Sequence, residues 1–174
     1  MIRICFHGAE STGKSTLIQE MAARFGCPWV PEYGREYCET RGINLTMEDL
    51  LAIAQGQNEA MLRAAASRPP LLLLDTDPLM TAAWARMLFG EVPDELLAYP
   101  KADLYLNFAA DVPWIRDGTR FFGTDQTREL FAAIAEDMLT RGGVKVVQIE
   151  GDWAAREAAV TELLSAQAAV AMTI

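Results

Sequence analysis

The chain carries a single histidine, His7. That scarcity excludes a histidine-based catalytic triad and any metal site assembled from several imidazoles. His7 sits where a first strand runs into a loop, and it is read as structural. The three cysteines, Cys5, Cys27 and Cys38, are odd in number and never spaced Cys-x-x-Cys. Reduced thiols are expected, with neither a disulfide framework nor a zinc knuckle. No apolar run approaches the roughly 20 residues that a membrane-spanning helix needs. The opening run from Met1 to Phe6 is too short for the apolar segment of a signal peptide. A cytoplasmic protein with no membrane partner is therefore expected. Basic residues are also in short supply: 15 Lys and Arg stand against 24 Asp and Glu, a net charge of −9. Duplex binding rests on Lys and Arg neutralising phosphates, so no nucleic-acid partner is expected.

What is present is regular. Apolar residues make up 51% of 174 positions, enough for one domain with a real core, expected to span residues 1–174. Short apolar runs alternate with helical periodicity, without repeats or low-complexity blocks. Strands are expected at Ile2–Phe6, Trp29–Val30, Leu71–Asp75, Leu104–Phe108 and Val144–Ile149. Helices are expected at Lys14–Phe25 with Gly26 as stop, from Thr46 onward, from Pro78 to Leu88 before Gly90, at Asp125–Leu139 and at Trp153–Val170. Thr46 with Asp49 three residues on forms a capping-box pattern. The buried face of the Thr46 helix is read as Met47, Leu51, Ala54, Asn58, Met61 and Ala65. The all-leucine run ending in Asp75 has the habit of a strand buried on both faces. Trp29, Trp84 and Trp153 are assigned to the core. Alternating strands and helices make an α/β chain with one parallel five-stranded sheet covered on both faces. In such sheets ligands bind at the C-terminal strand ends, so the residues after each strand carry the interest.

After the first strand stands Gly8-Ala9-Glu10-Ser11-Thr12-Gly13-Lys14-Ser15, a complete G-x-x-x-x-G-K-[ST], followed by Thr16. Its glycines let successive amides converge on phosphate oxygens, and the next helix adds the positive end of its dipole. The strand and helix around it are the context this motif requires. A P-loop NTPase fold follows, with Gly8, Glu10, Ser11, Thr12, Gly13, Lys14, Ser15 and Thr16 as nucleotide-binding residues. Lys14 is expected to bridge the β- and γ-phosphates of ATP, and the Ser15 hydroxyl to ligate Mg2+. Asp75 is the expected carboxylate partner of the metal, and Asp77, two residues on, is able to exchange roles with it.

The loop defines the phosphate site and not the reaction. A GTPase would carry D-x-x-G after the metal strand and an [NT]-K-x-D base reader; the chain has Asp75-Thr76-Asp77-Pro78 in the first place and nothing in the second. A small kinase remains. Glu32 in Pro31-Glu32-Tyr33-Gly34-Arg35-Glu36-Tyr37 is placed to take a proton from an attacking hydroxyl, with Tyr33 and Arg35 lining the same pocket. Asp77 is able to accept from a ribose diol. A glycine-bearing lid is expected at about 111–125, where Arg116 and Arg120 would neutralise the transferred phosphoryl group and Trp114 would stack on a flat base. A non-catalytic ATP-dependent switch is the reading of another class. It needs no acceptor site, which Glu32, Asp77 and the two lid arginines together describe.

These motifs, in order, resemble the ribosylnicotinamide kinase domain of NadR-type proteins. The resemblance rests on Gly8–Thr16, Glu32-Tyr33-Gly34-Arg35-Glu36-Tyr37, Leu74-Asp75-Thr76-Asp77 and Pro113-Trp114-Ile115-Arg116-Asp117-Gly118-Thr119-Arg120. It implies an ATP-dependent phosphotransferase that phosphorylates the 5′-hydroxyl of nicotinamide riboside, giving nicotinamide mononucleotide in NAD salvage. A kinase for another (deoxy)nucleoside is the alternative. By this resemblance Lys14 and Arg120 stabilise the phosphoryl group and Ser15 with Asp75 holds Mg2+. Glu32 is the base, and Tyr33, Asp77 and Trp114 form the acceptor pocket. NadR-type proteins often carry an adenylyltransferase domain with an H-x-G-H site ahead of the kinase. The lone His7 is followed by Gly8-Ala9, so that activity is expected to be absent, as is a DNA-reading segment.

Overall fold

A computed structural model describes residues 1–112 and 124–171. Five strands, β1 (Ile2–Gly8), β2 (Trp29–Val30), β3 (Leu71–Asp75), β4 (Leu104–Phe108) and β5 (Val146–Ile149), form one parallel sheet in the order β2-β3-β1-β4-β5. The helices are α1 (Lys14–Phe25), α2 (Tyr33–Arg41), α3 (Met47–Ala65), α4 (Pro78–Phe89), α5 (Asp94–Ala98), α6 (Asp125–Arg141) and α7 (Trp153–Ala171). This is the expected P-loop architecture. Among the described residues no helix is long and apolar enough to cross a membrane.

Side chains alternate across the sheet, and the two faces hold separate cores. Ile4 and Phe6 of β1 join Leu71 and Leu73 under α1 and α7, where Leu17, Met21, Val160 and Leu164 close over them. Cys5, Leu72 and Leu74 face the other way, toward Met61 of α3 and Leu79 of α4. All five residues of β3 are buried, which is why that strand is leucine on both faces. Leu73 is fully enclosed. Leu73→Ala is expected to lower the unfolding free energy by about 2–5 kcal/mol, read from urea denaturation, because the cavity it leaves cannot collapse.

Helix boundaries follow their capping chemistry. Thr46 accepts from the Asp49 amide at 3.2 Å while Asp49 accepts from the Thr46 amide at 2.8 Å, the reciprocal box expected. Gly26 and Gly90 end α1 and α4 in left-handed conformations. The structure departs from expectation in four places. Residues 33–41 form α2, although Gly34 and the polar run gave no helical stripe there. The five-residue α5 was also unforeseen, and β5 starts two residues later than Val144. The buried face of α3 is Leu50, Ile53, Ala54, Gln57 and Met61. The polar Gln57 inside that stripe disguised it.

Strand order decides where the site lies. From β1 the chain crosses to β2 at one edge, and from β3 it crosses back past β1 to β4. Connections leaving β1 and β3 thus diverge at their C-terminal ends, and the crevice between them opens at the phosphate loop.

Candidate active site

The loop after β1 is shaped by three left-handed residues, Gly8 (φ 120), Ser11 (φ 58) and Gly13 (φ 84). A Cβ on Gly8 would stand 2.5 Å from the Phe108 carbonyl oxygen of β4, so only glycine lets the two backbones approach there. Lys14, at the first turn of α1, folds back over the loop. Its Nζ donates to the carbonyls of Gly8 (2.8 Å) and Ala9 (2.6 Å) and to Thr12 Oγ1 (3.2 Å). Burial holds the Lys14 pKa below its ordinary value, opposed by the negative charges of Asp75, Glu32 and Glu10. The ammonium is thereby parked at the mouth of a cradle of amides.

A cleft of about 290 Å³ runs from this loop across the sheet end. All eight expected nucleotide-binding residues, Gly8, Glu10, Ser11, Thr12, Gly13, Lys14, Ser15 and Thr16, line its polar end. Glu32 and Arg35 line the side formed by α2, their charged groups 3.6 Å apart. Removal from bulk water, reinforced by the nearby Asp75 charge, pushes the Glu32 carboxyl up to about 7, against the pull of Lys14 and Arg35. A carboxylate poised near neutrality beside a phosphate cradle is equipped for proton abstraction.

Asp75 and Asp77 separate sharply. Thr76 between them adopts a left-handed backbone (φ 69), unusual for a β-branched residue, and so turns the two carboxylates apart. Asp75 is buried, accepts from the Ser15 hydroxyl and is raised mainly by desolvation. Its Oδ1 has no hydrogen-bond partner. Asp77 goes the other way. Its Oδ1 caps α4 by accepting from the Leu79 amide at 3.0 Å, and its Oδ2 accepts from the Tyr105 hydroxyl. Asp77 lies with Cys5 and His7 in a buried polar cluster and is not among the cleft-lining residues. Both Asp77 oxygens are thus engaged, in capping α4 and with Tyr105, in place of the diol-binding role expected for it, while Asp75 stands beside Ser15 with one oxygen unpartnered. His7 donates from Nε2 to the Ala135 carbonyl at 3.1 Å, its Nδ1 has no hydrogen-bond partner, and burial drives its pKa down to about 3. It is a neutral structural imidazole.

Tyr33 is also displaced from its expected place. Its amide donates to Gln57 Oε1 at 2.7 Å, and its ring lies flat on α3 at Gly56, outside the cleft lining. A Cβ on Gly56 would come within 2.3 Å of that ring. A mid-helix glycine costs about 1 kcal/mol relative to alanine, so this one is kept for contact and not for helicity. Gly56→Ala is expected to push Tyr33 and the attached Glu32 out of place and to lower kcat about ten- to hundredfold, measured beside an unchanged circular dichroism spectrum.

Two core assignments are corrected. Trp84 lines the cleft, its ring centroid 4.3 Å from Phe131 at 38°, and with Leu50, Ile53 and Met80 it makes the apolar end. Trp153 is 40% exposed, its ring against Gly13 on the outer side of the loop. Gln57, Trp84 and Phe131 escaped the sequence reading. Only Gln57 left a signal, a polar residue on an otherwise apolar helical face. Trp114, Arg116 and Arg120 lie outside the described residues.

A phosphate loop at a strand-order switch point, a buried aspartate under its serine and a near-neutral carboxylate across the cleft define a P-loop phosphotransferase. A family model described as AAA domain matches residues 3–156, and the chain belongs to that family. It is 30% identical over 150 residues to the trifunctional NAD biosynthesis/regulator protein NadR of Escherichia coli (strain K12), covering 82% of this chain and 37% of that protein. NadR of Salmonella typhimurium is 29% identical over 165 residues, 90% of this chain and 40% of the relative. The chain thus spans about two-fifths of the length of the curated relatives it matches. A crystal structure of a NadR protein in complex with NR aligns with a TM-score of 0.76 at 25% identity, over 94% of this chain and 51% of that one. A deoxyadenosine kinase from M. mycoides aligns with a TM-score of 0.67 at 9% identity, covering 95% of this chain and 100% of that one; this second likeness concerns the fold alone. In class the chain is a NadR-like P-loop kinase.

Proposed function

We propose that this single domain transfers the γ-phosphoryl group of ATP to the 5′-hydroxyl of nicotinamide riboside, giving nicotinamide mononucleotide and ADP. The observation that carries the reading is Glu32: a carboxyl held near pH 7 in the same cleft as Lys14, with an aromatic wall beyond it. Glu32 takes the proton of the attacking hydroxyl as its oxygen bonds to phosphorus and the bond to the ADP oxygen breaks. Lys14 leaves the loop carbonyls for the β- and γ-phosphates. The Trp84 and Phe131 rings suit the flat, cationic ring of the acceptor. Support also comes from the NadR likeness, one of whose structures holds NR.

Mg2+ fits the residues present. Asp75 keeps one buried oxygen unpartnered beside the Ser15 hydroxyl, a set of hard oxygen donors of the kind magnesium prefers. Bound there by Ser15 and Asp75, the ion would supply neutralisation of phosphate charge. Arg116 and Arg120 are proposed to add positive charge from a lid at about 111–125, and Trp114 to close over the acceptor. Incubation with Mg-ATP and a panel of nucleosides, followed by ADP release, tests the proposal. Turnover with nicotinamide riboside is the expected result; turnover with thymidine or deoxycytidine alone, or none with any acceptor, overturns it.

A further inference from the structure

We infer that Arg128 and Arg156, two buried arginines remote in sequence from the phosphate loop, are positioning residues that shape and charge the anion cradle from behind. The inference deepens the phosphate-site reading and rests on it.

Five successive carbonyls of the loop each accept a hydrogen bond from a side chain. Lys14 serves Gly8 and Ala9, and the Thr12 hydroxyl also reaches Ala9 at 3.0 Å. Arg128 Nε donates to the Glu10 carbonyl at 3.0 Å and its Nη2 to Ser11 at 3.4 Å. Arg156 Nη1 donates to Thr12 at 2.8 Å. The next carbonyl, of Gly13, is taken by the Leu17 amide of α1. Within one peptide unit the carbonyl and the following amide point in opposite directions. Pinning carbonyls outward therefore turns the Ser11, Thr12 and Gly13 amides toward the bound anion. A guanidinium on the carbonyl side also draws electron density through the peptide unit, so the amide on its far side becomes a stronger donor.

Neither arginine is a bystander of surface chemistry. They are 4% and 1% exposed. Both spend remaining donors on the chain leaving β4. Arg128 Nη1 donates to the Val112 carbonyl at 2.7 Å, and Arg156 Nη2 donates to Ala109 at 3.1 Å and to the Asp111 carboxylate. Arg156 Nε adds the Gly151 carbonyl at 2.8 Å. A buried charge is costly unless its donors are satisfied, and here carbonyls of three converging segments satisfy them. Lysine has the charge without the planar fork, so its single nitrogen cannot span the separated carbonyls by which each arginine joins the loop to the chain leaving β4.

Titration calorimetry with inorganic tripolyphosphate tests this without reference to the acceptor, on the full chain and on Arg128→Lys, Arg156→Lys and the surface control Arg24→Gln. The control breaks an outlying pair with Glu157 at 2.5 Å and a hydrogen bond to the Thr161 hydroxyl at 2.9 Å, both away from the loop. Each lysine variant is expected to bind tripolyphosphate on the order of tenfold more weakly per folded molecule, and the control to bind as the parent does. Asp111→Asn, which loosens Arg156 while leaving the loop sequence intact, is expected to weaken binding about threefold and serves if the lysine variants do not fold. Lowered melting temperatures with affinities within twofold of the parent would reduce both arginines to structural braces and overturn the inference. Failure of the parent itself to bind tripolyphosphate would overturn the phosphate-site reading along with it.

Discussion

Glu32→Gln is expected to lower kcat by about 10²–10⁴-fold while leaving ATP affinity within a few-fold, because general-base assistance is lost and the phosphate cradle is untouched. Glutamine keeps the shape and loses the proton acceptor. The parent's kcat/KM for the acceptor should rise with pH through an apparent value near 7, the pH at which the free carboxyl ionises. Desolvation is the largest cause of that position; among the charges facing Glu32, Asp75 and Glu10 raise it and Lys14 and Arg35 lower it. The variant should lose this limb. An unchanged kcat, or a limb that survives the substitution, removes Glu32 as base.

The same carboxyl makes a stability statement of opposite sense to most acids. Its folded-state pKa lies above its ordinary value of 4.5, so between 4.5 and about 7 the folded chain holds a proton that the unfolded chain has released. Stability contributed by this group therefore falls as pH rises through that window and stays low above it. Glutamine imitates the protonated form. Glu32→Gln should melt at a higher temperature than the parent at pH 8, with the gap closing toward pH 5. A gap that widens on acidification would contradict the assignment of a desolvated, destabilising carboxylate.

Lys14→Ala is expected to reduce phosphoryl transfer by about 10²–10³-fold or more with every acceptor, since a preorganised cation at developing phosphate charge is lost from a site shielded from water. The substitution also strips the Gly8 and Ala9 carbonyls of their ammonium donor. Thermal melting must therefore accompany the assay. A folded Lys14→Ala protein with near-parental turnover would sink the reading of the loop as the reaction's phosphate grip.

Much of this site was legible as a string of letters because its parts are local. The phosphate loop needs glycine at two fixed positions and lysine at the start of a helix, all within eight residues, and the structure puts all of them on one cleft wall. Thr46 with Asp49 announced a helix start, and four leucines before Asp75 announced a doubly buried strand, for the same reason: each is settled by neighbours within one turn or one strand. Glu32 was legible as a candidate from its place just after a strand.

Tertiary structure decided what depends on direction and on distant partners. Asp75 and Asp77 are interchangeable as letters. A left-handed Thr76 and the Tyr105 hydroxyl of β4 send one toward the phosphate site and the other beneath α4. Trp84 and Phe131 become a cleft wall only because α4 and α6 pack together, and Arg156 meets Thr12 across 144 residues of chain. Sequence alone thus determined the class of fold and the phosphate grip, since backbone curvature and dipoles follow from local residue types. Folding determined which aspartate stands beside Ser15, what lines the apolar end of the cleft and which arginines meet the loop carbonyls, since each of these is a contact between surfaces that only the packed sheet and helices bring together.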